Sequence, residues 1–113
     1  MTEDWKTEYD QRQYRLMNDQ LRLFETGKLD LSALIKGIKA LLSALEVADE
    51  SWKEKVRCEW GALETVYAVG LDRKEQGLAQ DIQASLNEPA SRAIIDEAVG
   101  NIRRLVQECI SHS

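Results

Sequence analysis

Between Leu31 and Leu45 the apolar residues Leu31, Leu34, Ile35, Ile38, Leu41, Leu42 and Leu45 recur at steps of three, one, three, three, one and three. A strand would scatter such a set over both of its faces, whereas a helix of about 3.6 residues per turn gathers it onto one. The same spacing recurs through most of the chain. The only proline is Pro89, and six glycines in 113 residues leave few places where a helix must break. No β-branched alternating run competes with this pattern. The expectation is an all-α fold in a single domain spanning residues 1–113, a bundle of four long helices plus one short helix.

The first helix is expected from about Thr2 to Thr26. Tyr14, Met17, Leu21 and Phe24 form its core stripe, and Tyr9, Leu16 and Leu23 widen it at multiples of seven. Thr2 is a candidate cap, and Gly27 is the stop. Trp5 lies a turn before Tyr9. The second helix, capped by Asp30, runs from about Leu31 to Glu46. The intervening link is short enough to demand an antiparallel hairpin. The third helix begins at Asp49 or Ser51, and Ser51 with Glu54 matches a capping box. Val56, Trp60, Leu63 and Tyr67 form its inward stripe, with Trp52 above and Val66 and Leu71 below. Gly61 suggests a close helix crossing beside Trp60, and the helix should end near Gly70. Residues 71–87 read either as a loop or as a short helix from about Glu75 to Leu86. Asn87 is the candidate cap of a last helix over Glu88 to Ile110, with Pro89 in its first turn.

Composition bounds the function. Twenty acids against fifteen bases give a net charge of −5. Such a balance argues against nucleic acid as a direct ligand, because phosphate contacts need clustered Lys and Arg. No apolar run approaches the roughly 20 residues of a membrane span. The acidic opening MTEDWKTEYD lacks the apolar centre of a secretory signal, so a cytoplasmic protein is expected. Cys58 and Cys109 have no second pair to make a disulfide framework and read as free thiols.

Catalytic chemistry finds little footing. His112 is the only histidine, and Cys109-x-x-His112 lacks the further ligands that a zinc site needs. There is no nucleophile elbow, phosphate-binding glycine loop or Glu-x-x-His pair. The expectation is therefore a non-enzyme without cofactor or metal.

Surfaces remain. Residues 75–113 hold six acids and only three bases, so acidity concentrates towards the C-terminus. Asp72, Glu75, Asp81 and Glu88 form the candidate partner-binding acids. Glu59 and Glu64 flank the Trp60 stripe, and Trp52, at the start of its helix, is a candidate interface aromatic. The arrangement ALLSALE, then Trp52, then EWGALETVYAVGLDR resembles small all-helical bacterial immunity proteins of toxin–immunity systems, including contact-dependent growth inhibition. The resemblance implies binding and occlusion of a cognate toxin, often one with a basic active site. The alternative is a structural or regulatory protein that self-associates through the second or the last helix.

Overall fold

Two glycines fix where two of the helices stop. At Gly27 and Gly77 the backbone enters the left-handed region, with φ of 79° and 75°, where a side chain would be strained. In both places the next residue's N–H reaches back to the carbonyl five residues earlier. Lys28 bonds to Leu23 and Leu78 to Arg73, each at 2.8 Å, which satisfies carbonyls that the helix end would leave orphaned. The structure, a computed structural model, describes residues 4–110. It contains α1 (Asp4–Glu25), α2 (Leu31–Ala44), α3 (Glu50–Glu75), the short α4 (Ile82–Leu86) and α5 (Pro89–Cys109), and no strand among the described residues. The all-α bundle of four long helices and one short one is the observed fold. The Thr2 cap lies outside the described residues.

Several local expectations are corrected. The third helix does not end at Gly70. That glycine is buried inside α3 at helical φ, where a Cβ would make ordinary contact with Leu86 at 3.6 Å and Ser85 at 3.7 Å of α4, so it neither breaks α3 nor is needed to admit α4. The short helix starts at Ile82, not Glu75, because the chain first has to turn at Gly77. Asn87 closes α4 through its backbone N–H to Gln83. The N-cap of α5 is Glu88, whose side chain makes no capping bond. Ser51 is no cap either: it sits inside α3 and donates its hydroxyl to Asp49. Gly61 has nothing within 4 Å of where a Cβ would be, so no close crossing occurs there; at Gly37, by contrast, the Gln20 side chain fills the space, its oxygen 2.7 Å from where a Cβ would be. Finally, α2 ends at Ala44 rather than Glu46.

Cross-links between helices show antiparallel neighbours throughout. From α1 to α2, Asp10 bonds to Glu46 and Val47 while Gln20 meets Gly37. From α3 to α5, Trp52 bonds to Leu105, Glu59 to Asn101 and Arg73 to Glu88. Each step up one helix matches a step down the other. The contacting pairs run α1–α2–α3–α5–α1 around the bundle, which leaves α1 and α3 at opposite corners. The core between them holds Met17, Leu21, Leu34, Ile38, Leu63 and Ile102 among others, all fully buried. Leu16 and Leu23 are not part of it: both are exposed, because that flank of α1 faces outward beside α2.

Two tryptophans act as ties as well as packing. Trp52 donates its indole N–H to the Leu105 carbonyl at 2.9 Å and meets Tyr14 edge-on, with ring centres 5.4 Å apart. Trp60 donates to the Ile35 carbonyl at 2.8 Å. A half-buried indole suits this place, since its ring packs while its one donor finds an acceptor.

Candidate functional site

The second half of α3 has three neighbours, α2, α4 and α5, yet one strip of it faces solvent. Glu64, Leu71 and Glu75 lie on that strip at steps of seven and four, which stack on a helix. Asp72 stands beside them, and all four are exposed. In the turn that follows, Leu78 is 63% exposed. Apolar side chains among carboxylates thus share one surface, the layout of an anchor with a polar surround.

The other candidate residues are engaged within the fold. Asp81 is the N-cap of α4, and its carboxylate accepts the Ala84 N–H at 2.7 Å. Glu88 pairs with Arg73 at 2.7 Å, which ties the start of α5 to the end of α3 and neutralises both charges. Glu59 accepts from the Asn101 amide at 3.0 Å. Trp52 is held against Tyr14 and α5 as described. The structure therefore brings together Glu64, Asp72 and Glu75, and commits Trp52, Glu59, Asp81 and Glu88 to contacts between or at the ends of helices.

Between α3 and α5, a shallow cleft of about 360 Å³ is lined by Lys55, Cys58, Glu59, Asn101, Arg104 and Glu108, a mixture of charges around an exposed thiol. The second thiol, Cys109, lies beside the Tyr14 ring. Burial pushes the Cys109 thiol up and the Tyr14 hydroxyl well above its ordinary value. A thiol held protonated is a poor nucleophile. Among the described residues no three His, Cys, Asp or Glu side chains come together as a metal-binding group. His112 lies outside the described residues. No helix among them is long and apolar enough to cross a membrane.

One residue escaped the sequence reading. Asp10 is only 2% exposed, and its two carboxylate oxygens accept the N–H groups of Glu46 and Val47 at 2.8 and 2.9 Å. It fastens the α2–α3 link to α1. No sequence signal marks an acid in a polar helical stretch as the partner of backbone 36 positions away.

No family model, curated protein or solved structure matches this chain.

Proposed function

We propose that this chain is a protein-binding module, an immunity protein that neutralises a cognate toxin by covering a basic surface on it. The observation that carries the reading is the outer strip of α3, where exposed Glu64, Asp72 and Glu75, with Lys74 beside them, share a surface with exposed Leu71. Carboxylates clustered on one surface raise the rate of encounter with a cationic partner. An apolar anchor among them, desolvated on contact, slows release. Occlusion needs no bond to be made or broken.

The engaged acids refine the surface. Arg73 already neutralises Glu88, and Asp81 serves α4, so Glu64, Asp72 and Glu75 carry the steering. The test is co-expression with the toxin encoded in the immediate genomic neighbourhood, scored by growth and by binding at several salt concentrations. The wild-type chain should relieve growth arrest. The triple variant Glu64→Lys, Asp72→Lys, Glu75→Lys should lose affinity and flatten the dependence on salt. Unchanged affinity and salt slope would remove α3 from the interface. Failure of the wild-type chain to protect would remove the immunity reading itself.

A further inference from the structure

The outward side of the α1–α2 hairpin carries an apolar face that the bundle leaves open. Trp5, Leu16 and Leu23 are 56%, 46% and 38% exposed, and Tyr9 is half-buried on the same flank. With Arg12 and Asp19 they form a series at steps of four, three, four, three and four, the spacing by which one helix packs along another. α1 therefore has two seams. The inner one, with Tyr14, Met17 and Leu21, is in the core; the outer one has no partner within the bundle. The adjoining side of α2 carries Ala33, Gly37, Ala40 and Ala44, and Ala40 is exposed.

We propose that a second copy of this chain docks on this face, its α1 antiparallel to the first about a two-fold axis beside residues 14 and 15. Charge order selects that arrangement. In the register that sets Trp5 over the partner's Leu23, Arg12 lies near the partner's Asp19 and Glu8 faces the partner's Arg22. Symmetry makes each of these contacts twice, against a single approach of Arg15 to its own copy at the axis. A parallel pairing would instead set Arg12 against Arg12 and Asp19 against Asp19 along the seam. The size is sufficient: 22 residues of α1 and 14 of α2 give strips about 33 and 21 Å long, each about 10 Å wide. That is roughly 540 Å² per copy and about 1,100 Å² in all, just above the ~1,000 Å² expected of a specific interface. The dimer goes beyond the toxin-binding reading and does not rest on it, since α1 and α3 occupy opposite corners.

Analytical ultracentrifugation over a wide concentration range tests the proposal, with circular dichroism confirming that each variant is folded. The wild-type chain should dimerise, and Leu16→Asp should be a folded monomer. Should Leu16→Asp not fold, Ala40→Arg, on the other helix of the face, takes its place with the same expected loss of dimer. Glu8→Arg should weaken the dimer, and Glu8→Arg with Arg22→Glu should restore it. Arg15→Cys in a Cys58→Ser background should form a disulfide-linked dimer, because the axis brings that position close to its own copy. Three results overturn the proposal: a wild-type protein monomeric at every concentration; a dimer that survives both Leu16→Asp and Ala40→Arg; or a monomer that sediments with vesicles of phosphatidylcholine and phosphatidylglycerol, which would assign the face to a lipid surface.

Discussion

Asp10 offers the sharpest test of how the bundle is held. Its carboxylate is the acceptor for two consecutive backbone N–H groups, those of Glu46 and Val47, just where α2 has ended and the chain turns towards α3. A hydrogen bond to a charged acceptor contributes about 1.5–3 kcal/mol net, and the lower end applies here because Glu46 and Val47 are exposed enough for water to replace the lost acceptor. Two such bonds make Asp10→Ala cost about 3 kcal/mol. For a chain of this length that corresponds to a fall in Tm of about 10–15 °C. Asp10→Asn keeps one acceptor oxygen but turns an NH2 group towards the second donor, so its loss should fall between wild type and Ala. Urea unfolding followed by tryptophan fluorescence gives the free energies, and an unchanged m value would show that the unfolded state is the same. Amide exchange at residues 46 and 47 should accelerate in the Ala variant before the rest of the chain responds. A loss below about 0.5 kcal/mol, within the range of ordinary surface substitutions, would refute the view that this carboxylate fastens the link.

Three further outcomes follow from local geometry. Gly61→Ala should stabilise the protein by about 0.5–1 kcal/mol, since the added Cβ meets open space in a helix interior; a destabilisation measured by urea unfolding would contradict that environment. The hydrogen bond from the Ser51 hydroxyl holds the Asp49 carboxyl below the usual range. A depressed folded-state value stabilises above the ordinary aspartate range and is lost as pH falls through the folded value; in an NMR titration Ser51→Ala should move Asp49 back up, and no movement would exclude Ser51 as the cause. Cys58 is exposed while Cys109 is half-buried and held as the thiol, so a thiol reagent should label one site quickly and the second slowly until unfolding. Cys58→Ser should abolish the fast phase, and a persistent fast phase would reverse the assignment.

The helices were legible because burial on one side imprints a period on the sequence, and that period is strongest in α2. What it does not record is which of two apolar stripes faces inward. In α1, Tyr14 and Met17 are buried while Leu16 is exposed, although each belongs to a plausible helical stripe. The choice is made by where α2 and α5 stand, which is a tertiary fact. Glycine shows the same limit. Gly27 stops α1 as its sequence position suggested, yet Gly70 is passed over and Gly77 ends α3, because a glycine stops a helix only where the backbone takes positive φ, as it does at Gly27 and Gly77 and not at Gly70. The candidate site divided for a local reason. Asp81 sits directly before a helix and becomes its cap, and Glu88 lies opposite Arg73 across the α3–α5 turn, so both were committed by short-range geometry that a count of charges cannot resolve.

That division also makes the two interaction readings separable. The acidic strip lies on the solvent side of the second half of α3 and the open apolar seam on the outward side of α1, helices at opposite corners of the bundle, although Tyr14 and Trp52 meet across it. Substitutions on one should leave the other intact, because sites that share no partners behave nearly additively. Leu16→Asp should therefore abolish self-association while toxin binding keeps its affinity and its salt slope. The triple α3 charge reversal should do the opposite, leaving sedimentation unchanged while binding weakens. If both functions fell together in a folded Leu16→Asp variant, the toxin would need the dimer, and the α3 strips of two copies would have to act on it jointly. If both survived, neither the apolar seam of α1 nor the symmetry argued for it could stand, while the carboxylates of α3 would remain to be judged by their own variants.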